Sequence, residues 1–251
     1  MSGTLEGRTA LVTGAASGIG ASIALAFAAE GARLCLADRD PGPALAGVAD
    51  RCRAEGGEVL TVQADVSDEG DVERMFATAR AGLGAVDTVV NNAGILTEAH
   101  VVDMPAALFD QMLAVNLRSV FLGCRAALPP MVAAGFGRVI NIASQVGQRG
   151  GAGLAHYAAA KAGVIGFTKS LARELGSSGV TANCIAPGPI NTPLGGTLSE
   201  EWLTSLYAGL PLGRSGEPDE VAPTAVLLAS VPGGNLYTGQ TLGPNSGDVM
   251  L

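Results

Sequence analysis

The chain has 251 residues, 48% of them hydrophobic and 15% charged, which provides enough apolar material for a large buried core. Its formal net charge of -8 disfavours binding to a nucleic-acid backbone, and no apolar run is long enough to cross a bilayer. The stretch from Met1 to Arg8 lacks the basic and then apolar pattern of a signal peptide, so we expect a soluble cytoplasmic protein without nucleic-acid or membrane partners.

The chain alternates short apolar runs with longer helical stretches. The predicted strands are Thr9–Thr13, Arg33–Ala37, Glu58–Ala64, Val86–Val90, Gly137–Ala143, Val180–Ile185 and Gln240–Leu242. The predicted helices run from Ala21 to Glu30, from Pro43 to Glu55, from a cap at Asp68 through Arg80, from Pro105 to Ala134, from Tyr157 to Gly176, and onward from Glu217. Right-handed crossovers then imply an α/β fold, a Rossmann-like doubly wound parallel sheet of about seven strands with helices on both faces. No repeat or linker is visible, so we expect one domain over residues 1–251.

A glycine-rich turn follows the first strand directly. Gly14 permits the tight turn, Gly18 allows a close backbone approach to a phosphate, and Gly20 allows close helix–strand packing. Ser17 and Ile19 complete the turn, whose spacing departs from the general Gly-x-Gly-x-x-Gly pattern. Backbone N–H groups and a helix N-terminus surround a phosphate in such a turn, so the context predicts nucleotide binding.

Asp38 stands at the end of the second strand. A carboxylate there accepts hydrogen bonds from an adenosine ribose and repels a 2′-phosphate. Arg39 beside it can instead hold that phosphate, whereas Ser17 leaves the glycine turn without a second basic residue. We therefore expect NAD as the cofactor and consider NADP less favoured.

Tyr157 and Lys161 are four residues apart in a predicted helix, so their side chains should project from the same face. A nearby ammonium favours the phenolate, so Lys161 is expected to lower the pKa of Tyr157 from about 10 towards working pH. Tyr157 would then be able to donate and accept a proton.

Cysteines and histidines offer no zinc-ligand spacing. Cys35 and Cys184 lie in apolar strand-like runs, where a free thiol behaves as a small hydrophobe. The chain has no Cys-x-x-Cys pair, and His100 and His156 are far apart in sequence. We therefore expect no metal site.

Together these features resemble the short-chain dehydrogenase/reductase family, in its compact single-domain branch. The resemblance runs from Arg8 to about Thr241. Its motifs, in chain order, are Thr13 to Gly20, Asp65-Val66, Asn91-Asn92-Ala93-Gly94, Asn116, Ser144, Tyr157-Ala158-Ala159-Ala160-Lys161 and Pro187-Gly188.

The resemblance implies a catalytic set of four residues. Tyr157 would be the general acid in reduction and the general base in oxidation, and Ser144 would hold the substrate oxygen against it. Lys161 would bind the nicotinamide ribose and lower the pKa of Tyr157. Asn116 would hold a water that links Lys161 to solvent.

The resemblance also implies the cofactor contacts. Asp65 and Val66 would contact the adenine, Asn91 the adenosine-side ribose region, and Ile190 and Thr192 the nicotinamide amide. The other expected cofactor-binding residues are Gly14, Ser17, Gly18, Ile19, Gly20, Asp38, Ala93, Tyr157, Lys161, Pro187 and Gly188.

The resemblance further implies a homotetramer in which the Tyr157 helix pairs with its twin. The small residues of this helix allow close approach; they are Ala158, Ala159, Ala162, Gly163 and Gly166. They can equally pack against the chain's own sheet.

Two segments depart from the family's pattern. The family's last strand is followed by Asp-Gly-Gly, whereas Gly243-Pro244-Asn245-Ser246-Gly247-Asp248 follows Leu242 here. The loop from Gly147 to Gly153 is unusually rich in glycine.

A substrate lid is expected at about residues 189–210. Its large apolar side chains are Leu194, Leu198, Trp202, Leu203, Leu206 and Tyr207, and the wall of the site is expected to comprise Ile95, Leu96, Gln145, Val146, Leu154 and His156. We select Ser144, Val146, Leu154 and Trp202 as substrate contacts. The lid has no lysine or arginine, and only Arg149 and Arg214 are near in sequence, so the sequence favours a neutral, cyclic or aryl substrate. Alternatively, the apolar lid residues only pack on the domain.

Three functions remain open at this point. The favoured one is an NAD-dependent oxidoreductase that interconverts a secondary alcohol and a ketone, with Tyr157 as general acid and base. The alternative is a reductase of 3-oxoacyl thioesters of acyl-carrier protein or coenzyme A, which fits Asp38 less well because such enzymes usually take NADPH. A non-catalytic dinucleotide sensor is a remote third, since a sensor does not need the four catalytic residues.

Overall fold

A computed structural model describes residues 3–197, 199, 202, 204, 207 and 209–250. Its strands are β1 (Thr9–Thr13), β2 (Arg33–Asp38), β3 (Val59–Gln63), β4 (Thr88–Asn91), β5 (Gly137–Ile142), β6 (Val180–Ile185) and β7 (Thr241–Leu242). They form a parallel sheet in the order β3-β2-β1-β4-β5-β6-β7. The order reverses direction beside β1, between β1 and β4, which opens a crevice at the carboxyl ends of these strands.

Helices cover both faces of this sheet, as the sequence predicts. They are α1 (Gly18–Ala29), α2 (Pro43–Ala54), α3 (Glu69–Leu83), α4 (Ala106–Leu113), α5 (Ser119–Ala134), α6 (Val146–Arg149), α7 (Ala155–Leu175) and α8 (Pro218–Ala229). Asp68 caps α3 by accepting a hydrogen bond from the Asp71 N–H at 2.8 Å. None of the described helices is long and apolar enough to cross a membrane.

Two apolar cores lie on opposite faces of the sheet. One contains Phe27 of α1 with residues of α2 and α8, and the other contains Phe76 of α3 with residues of α5 and α7. Central strands such as β1 and β5 are buried along their full length. This two-sided burial explains why those strands read as continuous apolar runs rather than alternating ones.

Asn116 lies where the long predicted helix changes its winding. A π-helical turn, Ala114–Arg118, separates α4 from α5. Such turns insert an extra residue into an α-helix and occur frequently at functional sites. The periodicity of the sequence predicted the helix but not this turn.

The Pro129-Pro130 pair does not end α5, which continues to Ala134. Each proline removes one hydrogen bond to a carbonyl four residues earlier. Pro129 and Arg125 are exposed, so water can reach the carbonyl that Pro129 leaves unpaired. The helix therefore continues through the proline pair.

The C-terminal segment keeps a glycine-like turn although its sequence departs from the family's pattern. Ser246 has a φ of 56°, a left-handed conformation that favours glycine. Its carbonyl accepts a hydrogen bond from Leu212 N–H at 3.2 Å, and the Pro244 carbonyl accepts one from Gly188 N–H at 3.1 Å. The segment thus supports the loop after β6.

Candidate active site

A cleft of about 930 Å³ opens at the carboxyl ends of the strands. Most of the expected site residues line it: Gly14, Ser17, Gly18, Ile19, Asp38, Asp65, Val66, Ala93, Asn116, Ser144, Val146, Leu154, Tyr157, Lys161, Pro187, Gly188, Ile190, Thr192 and Trp202. Because these residues come from nine separate segments of the chain, only the folded sheet brings them together.

The glycine turn forms a cradle that side chains would fill. Gly14 has a φ of 64°, and a Cβ there would lie 2.9 Å from the Ala93 Cα. A Cβ at Gly20 would lie 2.2 Å from the Gly14 carbonyl oxygen. Gly20 itself does not line the cleft but permits α1 to begin against the turn. The bare backbone at the N-terminus of α1 fits the diphosphate of a dinucleotide.

Asp38 lies directly beside this turn. Its Oδ2 accepts a hydrogen bond from the Ala16 N–H at 3.0 Å, and its Oδ1 accepts one from Asp40 N–H at 3.3 Å. Arg39 also lines the cleft, with an exposed side chain. Two backbone N–H groups therefore hold the Asp38 carboxylate in place at the edge of the cleft, whereas the Arg39 side chain extends into solvent.

Asp65 and Asn92 line the cleft and form hydrogen bonds that fix its backbone. Asp65 Oδ1 accepts hydrogen bonds from the N–H of Ser67 at 2.8 Å and from its hydroxyl at 2.6 Å. Asn92, for which the sequence predicts no role, donates from Nδ2 to the carbonyls of Thr13 at 2.9 Å and Gly14 at 3.1 Å. No local sequence signal separates Asn92 from Asn91, because only the tertiary fold determines which of the two faces the turn.

Besides Gly20, two expected contacts do not line the cleft. Asn91 is buried under it and donates from Nδ2 to Asn141 Oδ1 at 2.8 Å. His156 is fully buried, with its Nε2 2.9 Å from Thr97 Oγ1, and burial lowers its pKa. These placements correct the roles expected for Asn91 in cofactor binding and for His156 in the substrate wall. Both side chains lie beneath the cleft surface, where they hydrogen-bond to other residues of the chain.

Tyr157 and Ser144 meet at the inner end of the cleft. Ser144 follows β5, and its Oγ accepts a hydrogen bond from Val146 N–H at 3.2 Å. Tyr157 lies in the first turn of α7 and is buried. Burial raises the pKa of Tyr157 to about 12, although a hydrogen bond with Ser144 acts against that rise. In the free protein the phenol therefore stays protonated at neutral pH.

Lys161 is also buried and does not lower the pKa of Tyr157 in this structure. Its Nζ lies 5.7 Å from the centre of the Tyr157 ring and donates to the Ile142 carbonyl at 2.8 Å. Burial lowers the pKa of Lys161 itself to about 8. The expected direction of the Tyr157 pKa shift was thus wrong for the free protein, because burial of the phenol outweighs the hydrogen bond with Ser144.

Asn116 faces Lys161 across Gly94. Its Nδ2 donates to the Ile95 carbonyl at 3.0 Å, and its Oδ1 accepts from Ile95 N–H at 3.2 Å. A Cβ at Gly94 would lie 2.6 Å from Asn116 Oδ1 and 3.7 Å from Lys161 Nζ. The Asn116 amide of the π-helical turn is thus fixed by Ile95, and both its oxygen and the Lys161 ammonium lie beside Gly94.

Described residues of the segment expected to form a lid lie against the cleft. Thr197 Oγ1 donates to the Leu96 carbonyl at 3.1 Å, and Trp202 Nε1 donates to the Ala152 carbonyl at 3.1 Å. Leu194 and Tyr207 also line the cleft. The expected lid residues Leu198, Leu203 and Leu206 lie outside the described residues.

The two cations near the substrate side are already paired. Arg149 forms an ion pair with Asp248, and Arg214 forms one with Glu220 at 2.6 Å. Among the described cleft-lining residues, the cations are Arg39 on the cofactor side and Lys161 beside Tyr157. The described chain also holds no group of three His, Cys, Asp or Glu side chains placed to bind a metal ion.

Comparisons with known proteins identify the family. A family model described as enoyl-(acyl carrier protein) reductase matches residues 14–247. A 3-oxoacyl-[acyl-carrier-protein] reductase from Chlamydia trachomatis is 39% identical over 247 residues, which cover 98% of this chain and 99% of the relative. A short-chain type dehydrogenase/reductase from Mycobacterium marinum has a crystal structure that matches with a TM-score of 0.92 and 34% identity, covering 98% of this chain and 97% of that one. The chain belongs to the short-chain dehydrogenase/reductase family.

A further solved structure, of a candidate NAD(P)-dependent gluconate 5-dehydrogenase from Beutenbergia cavernae, contains NADP at low occupancy. It is 35% identical, with a TM-score of 0.91 and 97% coverage of both chains. This chain is therefore an oxidoreductase of the short-chain family that uses a nicotinamide dinucleotide on a small-molecule substrate.

Proposed function

We propose that this short-chain reductase converts 3-oxoacyl thioesters to 3-hydroxyacyl thioesters. The observation that carries the proposal is its full-length similarity to a 3-oxoacyl-[acyl-carrier-protein] reductase, combined with a cleft that holds Ser144, Tyr157 and Lys161 together. This similarity favours the thioester alternative over the neutral cyclic or aryl ketone that the sequence favoured.

In the proposed reaction, Ser144 and Tyr157 hold the 3-oxo oxygen, and Tyr157 donates its proton to that oxygen. When bound, the reduced nicotinamide supplies the hydride that adds to the ketone carbon. In the free protein, burial raises the pKa of Tyr157 to about 12, so the phenol carries the proton that reduction consumes. Lys161 and Asn116 lie behind Tyr157, where they can return a proton to it from solvent.

The cofactor is proposed to be NADH rather than NADPH. The Asp38 carboxylate lies beside the glycine turn, where it would accept hydrogen bonds from ribose hydroxyls and repel a 2′-phosphate. Ser17 adds no positive charge to the turn, and Arg39 is exposed. Replacement of Asp38 by Ser should therefore reduce the preference for NADH by about 10-fold or more in kcat/KM. An unchanged ratio of kcat/KM for NADH and NADPH would show that Asp38 does not determine the cofactor preference.

The charge of the site fits a neutral acyl group. Val146, Leu154 and Trp202 give the substrate side apolar walls, and Arg149 and Arg214 are neutralised by their acidic partners. A 3-oxoacyl chain carries no charge at its reacting end, so it needs no buried cation. The anionic carrier would remain outside the cleft.

The test is a comparison of kcat/KM for acetoacetyl-coenzyme A with cyclohexanone and acetophenone, each with NADH and with NADPH. The proposal expects the thioester to be preferred by at least about 100-fold. A preference of about 100-fold for cyclohexanone or acetophenone over the thioester would overturn it. That result would instead support the second candidate, an alcohol/ketone oxidoreductase, which the apolar walls alone would also fit.

The wider organisation is proposed on the same basis. We propose that residues 1–251 form one catalytic domain with a lid at about 189–210, and that the protein assembles as a homotetramer.

A further inference from the structure

The two segments that depart from the family's pattern meet in the folded chain. Arg149 belongs to the glycine-rich loop beyond Ser144, and Asp248 belongs to the segment after β7. Their side chains form an ion pair although they are 99 residues apart in sequence. The Asp248 side chain is only 13% exposed, and a charge shielded from water gains more from an opposite charge beside it. The pair therefore joins the substrate side of the cleft to the end of the chain.

The loop that carries Arg149 loses much conformational freedom when it is ordered. Four of its seven residues are glycine: Gly147, Gly150, Gly151 and Gly153. Gly150 and Gly153 have φ angles of 79° and 70°. Glycine gives up more backbone freedom on folding than other residues do, so a loop of this composition needs contacts from elsewhere in the chain to keep one conformation.

Contacts from distant segments hold this loop. Trp202 Nε1 donates to the Ala152 carbonyl at 3.1 Å, and Ala99 N–H donates to the Gly153 carbonyl at 2.9 Å. The ion pair adds a contact between two charged side chains at the start of the loop. Leu154 follows the loop directly and lines the cleft, as does Trp202. The conformation of the loop therefore sets part of the substrate wall.

Asp248 is itself carried on an ordered turn. Asn245 is buried, and its Oδ1 accepts a hydrogen bond from Gly247 N–H at 3.0 Å. Its Nδ2 donates to the Val249 carbonyl at 2.9 Å, and its own carbonyl accepts from Asp248 N–H at 3.1 Å. These bonds close the backbone around Asn245 on both sides of the carboxylate, so Asp248 provides a fixed anchor for the guanidinium.

The same C-terminal segment also contacts two other parts of the cleft's surroundings. The Pro244 carbonyl accepts from the N–H of Gly188, which lines the cleft on the cofactor side, and the Ser246 carbonyl accepts from Leu212 N–H beyond the expected lid. Through its ion pair the segment reaches the substrate loop as well. One short segment thus connects three segments around the cleft.

We propose that Asp248 is a positioning residue: through Arg149 it holds the glycine-rich loop in the conformation that places Leu154 in the substrate wall. Neither Asp248 nor Arg149 lines the cleft, so the pair acts through the loop. The short helix α6 has a separate anchor, because Gly147 lies against the Lys161 backbone. Loss of the pair should therefore loosen the substrate wall and leave the catalytic residues in place. This role concerns any carbonyl substrate and does not require a thioester.

The experiment measures KM and kcat for acetoacetyl-coenzyme A and the dissociation constant for NADH in two variants. Arg149→Met keeps the length of the side chain and removes its charge, and Asp248→Asn keeps the shape and removes the charge. Each should raise KM by about fivefold or more and change kcat and the NADH constant by less than about twofold. The double variant should raise KM no further than the single variants do, because all three lose one contact.

Arg149→Lys retains the charge and should keep KM within about twofold of the parent value. Arg53→Met is the matched control, since it removes the same charge from an ion pair with Asp50 on the exposed side of α2. It should leave all three constants unchanged.

An unchanged KM in Asp248→Asn would overturn the positioning role, and this variant decides the matter if Arg149→Met folds poorly. Two further results would also overturn it: multiplying KM increases in the double variant, or a loss confined to kcat. If the parent reduces acetophenone or cyclohexanone but not acetoacetyl-coenzyme A, the proposed function fails. The same variants are then measured with the ketone that is reduced, and its KM decides the role of Asp248.

Discussion

At the scale of single residues, burial of the Lys161 ammonium lowers the stability of the folded protein. The side chain is 4% exposed, and burial lowers its pKa from 10.5 to about 8. The unfolded chain then binds more protons than the folded one between these two pH values. Stability should therefore rise as pH rises from about 8 to 10.5, and the full cost of the buried ammonium is present below pH 8.

Replacing Lys161 by Met should accordingly stabilise the folded protein and lower its enzymatic activity. We expect the free energy of unfolding at pH 7 to increase by about 1–3 kcal/mol, because a buried charge is removed. The gain should shrink as pH approaches 10, and kcat should fall strongly. Denaturant unfolding at pH 7 and pH 10 measures both effects. A variant less stable than the parent at pH 7 would contradict this account of Lys161.

Ser246 offers a stability gain away from the chemistry. Its φ of 56° is unfavourable for a residue with a Cβ. Ser246→Gly should therefore raise the free energy of unfolding by about 1 kcal/mol. Gly247→Ala is the opposite case, since Gly247 has a φ of 83° and a Cβ would lie 2.8 Å from Pro211. Thermal unfolding measures both variants. A shift of the two melting temperatures in the same direction would contradict this account.

Helical spacing made Tyr157 and Lys161 candidates from the sequence, whereas Ser144 and Asn116 were expected only from the family resemblance. The fold places all four beside one cleft. The direction of the Tyr157 pKa shift could not be predicted, since it depends on how deeply α7 is buried. Asn91 was misplaced for a related reason. A motif gives the neighbourhood of a residue, but which of two adjacent side chains faces the ligand depends on the strand's final orientation.

At the scale of elements, the strands and long helices were predictable because each has its own hydrophobic pattern and residues that mark its ends. The short helix α6 was not, since its four residues are too few to show a period. Its position depends instead on contact with α7. A Cβ at Gly147 would lie 2.7 Å from the Lys161 carbonyl carbon, so α6 rests on the backbone of α7.

Gly147→Ala tests that contact. The added methyl group meets backbone that cannot move aside, so α6 should shift and carry Gln145 and Ser144 with it. We expect stability to fall by about 1–3 kcal/mol and kcat/KM to fall by at least about 10-fold. Gly47→Ala is the control, because a Cβ there meets nothing within 4 Å and it lies in the exposed part of α2. It should stabilise the protein by about 0.5–1 kcal/mol and leave kcat/KM unchanged. Similar activities in the two variants would show that α6 tolerates displacement.

At the scale of the whole molecule, the small residues of α7 divide between two roles. Gly163 packs inside the chain, since a Cβ there would lie 2.8 Å from Leu117. Ala159, Ala162 and Gly166 are exposed, and a Cβ at Gly166 meets nothing within 4 Å. The exposed set leaves a face on which a second copy of α7 could pack closely.

If that face joins subunits of a homotetramer, Gly166→Glu should dissociate it by placing like charges at the contact. Gly47→Glu introduces the same residue into an exposed helix away from this face and should leave the assembly intact. Light scattering at micromolar concentration measures both. An unchanged mass for Gly166→Glu, or a monomeric parent protein, would contradict the proposed assembly.

The most direct test of the central claim is the activity of Tyr157→Phe in the reduction of acetoacetyl-coenzyme A. The change removes one hydroxyl and keeps the ring that packs among Met112, Val146, Leu154 and Ala160. If Tyr157 donates the proton, kcat/KM should fall by at least about 100-fold, while the dissociation constant for NADH changes by less than about threefold. A variant that binds NADH normally and keeps most of its reductase activity would contradict the claim that Tyr157 is the proton donor.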